Sequence, residues 1–567
     1  MNIKLYRTLA FIAIVIGFFM ALLDATIVNV ALPEISRHFG GDVGQISWIM
    51  NGFNLAFAVF ILTASRLADQ FGRKRWFLIG LFLFTLASLL AGFADSMEFL
   101  ITLRIIQGLA GAIIVPVTIP LTTELFPKEM HGAIIGAWGG IAGLAAASGP
   151  ALGGILTEKF DWQWIFLVNV PLGLISMLLT ILLIKESYDP TSGKRLDYAG
   201  TISITGAMFC FTYALIKAND FGWDSSRIML LLVGGGLLSI AFVLAEWKGK
   251  EPMLPLSLLK IRPFSGAALT LLVAGAGIMN LSFLTSFYLT RILGMTEMKA
   301  GLILSVLALF SMVSSVLSGP LSNKYGARWF GAAGVALMMG ANYWLGGLNA
   351  ASTTGDVIPR LAMAGVGLGL TMAPVMASTI RNVPEEKVGI SSGVVNMTKA
   401  LGSVLGVAII VTVLQSGMTG QMEEARQNAV RTIQSNPVLI DSVKQELASL
   451  TGEIDLASSG ASSVSSDAIL KRLSTAMEKE NARALAAPPK DERAARQAVM
   501  QQQAEEVGRL LPEIVGDYRD AASRAFGRSF KFSCWMLLAG VPLALISDRR
   551  YAKKGKLAES AAAESAQ

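Results

Sequence analysis

Asp24 is a carboxylate deep within an apolar run, whereas Glu124 and Glu246 fall near the ends of theirs. An ionisable acid away from water is costly and marks a functional position. One that takes a proton from one side of a barrier and releases it to the other suits proton coupling. Arg104, in a second apolar run, keeps its charge at any attainable pH and needs an anion or carbonyls around it. Asp24 is its natural counter-ion. Gln107, one turn further along the same helical face, could hold the guanidinium once Asp24 is protonated. Read structurally, the same pair is a permanent bridge locking two helices. Lys399 is a third charge in an apolar run, and the matching place earlier in the chain holds Ala142. It either sets the charge preference of a substrate, titrates as a second group, or snorkels to an interface. Ionised, the three groups leave net positive charge, which disfavours a dication and favours neutral, weakly cationic or amphipathic substrates. Asn29, Asn54, Asn280 and Asn396 are polar side chains inside apolar runs and are candidates to line a substrate cavity.

Other chemistry is excluded by what the residues cannot assemble. Cys210 and Cys534 stand alone in different runs, and His38 and His131 sit singly at run ends, so neither a disulfide framework nor a metal cluster is expected. The Gly-rich phosphate loop with Lys-Ser/Thr is missing, which argues against ATP hydrolysis. No cofactor and no enzymatic activity are expected.

The elements that must position these residues are membrane spans. The chain has 567 residues, 53% of them hydrophobic and 15% charged, where soluble domains have about 25% charged. Apolar runs recur near 10–31, 46–64, 76–94, 99–121, 133–156, 162–184, 198–216, 228–246, 264–289, 300–319, 329–348, 361–380, 390–414 and 529–547, each long enough to cross a bilayer. That reading gives an all-α polytopic membrane protein with fourteen spans. Residues 65–75, with Asp69, Gly72, Arg73 and Lys74, have a weaker copy at 319–328. Arg104, Gly108, Gly111 and Pro116 are matched by Arg360, Gly365, Gly367 and Pro374, and Gly132/Gly136 by Gly389/Gly393. Such order indicates a duplicated membrane protein built from two repeated halves. The halves are 1–190 and 263–414 with 529–548; 191–262 inserts two spans, 415–528 inserts a polar stretch, and 549–567 is a tail.

Lys and Arg set the orientation. Arg66, Arg73, Lys74, Arg75, Lys194, Arg195, Lys324, Arg328, Arg549 and Arg550 all fall on the side of Lys4 and Arg7, which puts both termini in the cytoplasm of a plasma or inner membrane. The net charge of +7 is then topology rather than a nucleic-acid signal. The same rule places 415–528 outside. There Ser466 could cap a helix with Ile469, Leu470, Leu473 and Met477 on one face. This segment is read as a solvated helical hairpin, a cover over the outer mouth, or a docking surface for an extracellular or periplasmic partner.

Four segments carry a family resemblance: residues 23–33 around Asp24 and Asn29, the Asp69 loop, residues 104–108, and residues 143–154 with Gly143, Gly149, Pro150, Gly153 and Gly154. With the Trp162-Gln-Trp164 to Asn169-Val-Pro171 stretch they resemble the major facilitator superfamily, in its fourteen-span drug:proton antiporter branch. The resemblance implies two six-helix bundles plus two inserted spans, and proton-coupled export of amphipathic small molecules by alternating access. It implies proton coupling at Asp24 and Arg104, a cytoplasmic latch at Asp69, Gly72, Arg73 and Lys74, and an antiporter motif in the Gly143–Gly154 stretch. Export of lipid or lipid precursors is the alternative within transport. A non-transporting sensor or assembly protein using residues 415–528 is the alternative outside it.

Overall fold

The structure, a computed structural model, describes residues 3–40, 43–127, 131–188, 197–249, 258, 260–381, 383, 388–451 and 490–548. In the first half lie α1 (Ile3–Phe39), α2 (Val43–Phe71), α3 (Arg73–Ala91), α4 (Met97–Leu125), α5 (His131–Lys159), α6 (Trp164–Leu167) and α7 (Asn169–Leu183). Two inserted helices follow, α8 (Tyr198–Phe221) and α9 (Ser226–Lys248). The second half holds α10 (Arg262–Phe287), which ends in a π-helical turn (Tyr288–Ile292), then α11 (Glu297–Tyr325), α12 (Ala327–Leu345) and α13 (Thr354–Arg381). It closes with α14 (Val388–Ser435), α15 (Asp441–Thr451), α16 (Lys490–Leu537) and α17 (Gly540–Ile546).

Helices occupy every one of the fourteen apolar runs, and among the described residues twelve candidate spans are long and apolar enough to cross a membrane. Their starts follow local chemistry: the side chains of Ser96, Asp197, Ser225 and Thr296 each accept from a backbone N–H of the next turn. Leu230, Val233, Leu237 and Ile240 of α9 are exposed, as lipid-facing side chains are.

The halves repeat their packing. In the first, α1 lies on α5 and α2 on α4; in the second, α10 lies on α14 and α11 on α13. Two seams join them. Along one, α5 meets α11; along the other, Leu55, Ala58 and Val59 of α2 meet Val394, Met397 and Leu401 of α14. The inserted α8 lies beside this second seam: Thr201 shares a hydrogen bond with Thr63 of α2 (3.0 Å), and Thr412 of α14 donates to Leu215 O (2.6 Å).

The polar stretch 415–528 is not bounded as its composition suggests. α14 and α16 are each 48 residues long and run unbroken from the apolar runs into that stretch. A helix carries on wherever its backbone bonds are kept, so a change from apolar to polar side chains does not end it. α15 lies on α14, and its Val443 and Leu447 share one apolar cluster with Leu439, Leu510 and Ile514. The face expected at Leu470, Leu473 and Met477, with its cap Ser466, lies outside the described residues.

Candidate functional site

Asp24 lies in α1, fully buried, at the centre of a network that also draws on α2, α3, α4 and α7. Arg104 Nη1 of α4 donates to Asp24 Oδ2 (2.5 Å) and to Gln107 Oε1 (2.8 Å), and Arg104 Nε donates to Ile49 O (3.1 Å). On the other carboxylate oxygen, Asn169 Nδ2 of α7 donates to Asp24 Oδ1 (2.9 Å), with Gln107 Nε2 at 3.5 Å. Ser88 Oγ of α3 accepts from Gln107 Nε2 (2.8 Å) and, more weakly, from Asn169 Nδ2 (3.5 Å). The Phe53 ring covers the guanidinium, 4.4 Å from ring centroid to Cζ. Gly108 permits this closeness: a Cβ there would sit 2.2 Å from Phe53 O. Arg104, Gln107, Asn169 and Ser88 are all at most 1% exposed. A charge pair this dry holds only because further donors and carbonyls complete it.

Asp24 and Arg104, expected from the sequence to be counter-ions, are in contact, and Gln107 accepts from the guanidinium while that pair is intact rather than only in its place. Ser88 and Asn169 are additions. Asn169 is the one amide side chain in α7, which was the available signal; Ser88 is too common a residue in such helices to stand out. The other cavity candidates lie apart from this network. Asn54 Nδ2 donates to Met50 O (3.0 Å), Asn280 Nδ2 meets Met536 Sδ (3.7 Å), and Asn396 and Lys399 are half-buried on α14. Ser403 Oγ donates to Lys399 O (3.1 Å), and α10 comes so near that a Cβ on Gly275 would lie 2.3 Å from the same oxygen. Arg360, the repeat partner of Arg104, faces the Trp344 ring at 5.2 Å, whereas the buried Asp24–Arg104 pair lies in the first half.

The glycine motif of α5 works in two directions. A Cβ on Gly149 would lie 2.0 Å from Thr26 Oγ1, and one on Gly153 would lie 2.4 Å from Ile27 O, both on α1 just past Asp24. On the other face, a Cβ on Gly154 would lie 2.4 Å from Glu297 O, and Gly301 of α11 has the same relation to Pro150 O (2.1 Å). Small residues thus bring α5 against α1 and against the opposite half. Gly143 lies on the same helix.

At the end where α1 finishes, the halves are tied together. Arg37 pairs with Glu34 and, across the seam, with Glu297. Met298 N donates to Glu158 (3.1 Å), Arg291 Nη2 to Pro33 O (2.8 Å), and Ser286 Oγ to Asn29 O (2.7 Å).

At the opposite end, Gly72 has φ +113° and Gly326 φ +89°, the left-handed values that favour glycine. Glu186, just past α7, caps α3 by accepting from Lys74 N (2.8 Å) and Arg75 N (3.2 Å), and a Cβ on Gly72 would lie 2.6 Å from its carboxyl carbon. In the second half Asp548 accepts from Ala327 N at the start of α12 (2.8 Å). An acid at a helix N-terminus meets free N–H groups and the positive end of the helix dipole. Arg73 Nη1 donates to Glu124 (2.6 Å) and Lys74 Nζ to Ile181 O (3.0 Å). Asp69 lies in the last turns of α2, and its side chain is outside the described part of the structure.

The profile of the Major Facilitator Superfamily matches residues 14–407. The multidrug resistance protein Stp of Mycobacterium tuberculosis (strain CDC 1551 / Oshkosh) is 33% identical over 426 residues, 75% of this chain and 79% of that protein. The tetracenomycin C resistance and export protein of Streptomyces glaucescens is 32% identical over 410 residues, covering 71% and 75%. Among solved structures, a bacterial homolog of the human lysosomal transporter Spinster, inward-facing and unoccupied, matches with TM-score 0.58 at 14% identity over 96% of this chain and 99% of that one. Twelve candidate spans, the repeated packing and these likenesses agree: this is a multi-pass membrane transporter, and the chain belongs to the Major Facilitator Superfamily.

Proposed function

We propose that the protein is a proton-coupled exporter of amphipathic small molecules, with both termini cytoplasmic and Asp24 as the proton-exchanging group. The buried Asp24–Arg104 pair carries this reading: a carboxylate held by a guanidinium and two amides, sealed at the end where the halves close. The relative named as an export protein supports the direction of transport, and the one named for multidrug resistance supports the substrate class.

A proton on Asp24 removes the anion that Arg104 faces, leaving the guanidinium to Gln107 and Ile49 O. α1 is then less firmly held at Asp24, and its next turn carries Thr26 and Ile27 on the α5 glycines and Asn29 on Ser286 of the other half. Loosening at Asp24 therefore reaches the contacts that shut the outer end, which is the linkage an antiporter needs. When that end is open, Asp24 takes up a proton from outside and substrate leaves. When it closes and the cytoplasmic side opens, the proton leaves, Arg104 recaptures the carboxylate, and substrate binds from inside or from the inner leaflet. Asp69, Gly72, Arg73 and Lys74 form the cytoplasmic latch, with Glu186 holding the start of α3.

Asp24→Asn tests the reading. Its amide oxygen can still accept from Arg104, so the variant is expected to fold, to carry out substrate counterflow, and to lose proton-driven accumulation in everted vesicles. Accumulation at the wild-type rate would sink the proposal.

A further inference from the structure

The π-helical turn Tyr288–Ile292 faces two ways. Toward the first half, its Arg291 donates to Pro33 O (2.8 Å). Toward α16, the Tyr288 hydroxyl donates to Asn349 O (2.9 Å) and shares a hydrogen bond with Ser523 Oγ (3.2 Å), which also reaches Leu348 O (3.3 Å). The Tyr288 ring meets Phe526 and Phe530 edge-on, with centroids 5.8 and 6.4 Å apart. Tyr288 and Ser523 are 1% and 2% exposed. Single π turns re-aim side chains and cluster at functional places. Ser523 and Phe526 lie in the stretch that composition assigns to a polar insertion, yet they are core residues here. One apolar cluster runs from Leu23 and Ile27 of α1 through Phe287 and Tyr288 to Ala522 and Phe526, and on to Leu510 and Leu447. The long helices are stiffened in turn: Gln503 bonds both to Val438 O (2.6 Å) and to Ile440 N (2.9 Å), and the Tyr518 hydroxyl donates to Thr451 O (2.9 Å).

We propose that α16 braces the outer gate. Through Ser523 and Phe526 it holds the Tyr288 turn where Arg291 reaches Pro33 and where Glu297, a few residues on, meets Arg37. Opening that end moves the turn away from α1, so the turn must either leave α16 or carry it along. The brace biases the two halves toward the state closed at that end. It goes beyond the transport reading, since it requires neither substrate nor proton.

The test uses the full chain in lipid discs, without substrate and at fixed pH. Spin labels go on Phe160→Cys in the first half and Lys299→Cys in the second, both exposed and adjacent to the Glu158–Met298 contact, in a Cys210→Ser, Cys534→Ser background. Tyr288→Phe and Ser523→Ala are each expected to raise the long-distance population about fivefold, the equilibrium equivalent of one ordinary hydrogen bond. Acting through one contact, the two together should raise it by less than the product of the single effects, and Ser523→Thr should restore the closed distribution. Folded variants whose distances match the parent overturn the brace, even if they melt earlier, and so do two effects that simply multiply. The readout sees no proton and no substrate, so failure of the Asp24→Asn assay and failure of this test are separate outcomes.

Discussion

The Asp24 carboxylate has more donors than an ion pair requires, and Asn169 is the one from outside α4. A hydrogen bond to a charged group is worth about 1.5–3 kcal/mol. Asn169→Leu keeps the size, removes the amide, and leaves the Asp24–Arg104 contact in place. Proton-driven export is expected to fall about tenfold or more, the rate equivalent of that loss, with counterflow, which moves no net proton, reduced less. An equal fall in both would make Asn169 a packing residue of α7. Asp24, Arg104 and Gln107 were legible in the sequence because charge in an apolar run is rare and because the spacing of Arg104 and Gln107 puts them on one helical face. Asn169 and Ser88 were not, because their neighbourhood is made by helices that meet only in three dimensions.

Helices here are shaped at a few positions, and two of these show how. Pro33 has no N–H, so the carbonyl of Asn29, four residues back, loses its helical partner. Ser286 of the opposite half donates to that carbonyl (2.7 Å), turning a break in α1 into an inter-half contact. Gly72 shows the second case. Its φ of +113° strains any other residue, and an added Cβ would also push against the Glu186 carboxylate that caps α3. Gly40 has φ +68° with nothing within 4 Å, so it isolates the strain. Gly40→Ala is expected to cost roughly 1 kcal/mol, and Gly72→Ala about 1–3 kcal/mol more because two capping bonds are displaced. Thermal unfolding in detergent compares them; equal losses would mean that Glu186 does not cap α3 in solution. Gly72 and its repeat Gly326 could be picked out from the sequence, whereas Glu186 and Asp548 read there only as acids beyond apolar runs.

Across the whole molecule, α14, α15 and α16 share one apolar cluster with the Tyr288 turn and α1. Replacing residues 420–524 with a short linker would look harmless from composition, but it deletes Ser523, a partner of Tyr288, and Tyr518, which ties α16 to Thr451. That variant is expected to lose stability and to populate the open outer end. A narrower cut keeps the seat: Asn436 Nδ2 and Glu506 Oε1 are 2.9 Å apart, so a few Gly and Ser residues can replace 437–505. Loop-closure cost changes slowly with length, and this variant is expected to fold and export like the parent. Fluorescence size-exclusion of both proteins, with export assays, decides; equal behaviour of the two would show that residues 518–524 carry no structural weight.

By itself the sequence determined the membrane class, the helix windows, the duplication and the residue Asp24, because hydropathy, repeat spacing and the cost of a buried charge are local properties written along one chain. Tertiary structure alone decided which donors surround Asp24, that the α5 glycines serve both α1 and the opposite half, that Glu186 and Asp548 cap repeat-related helices, and that α16 reaches the Tyr288 turn. Each of these joins residues far apart in the chain, such as Asp24 with Asn169 or Tyr288 with Ser523. Helix periodicity gives the face a side chain is on; only the packing of helices says what that face meets.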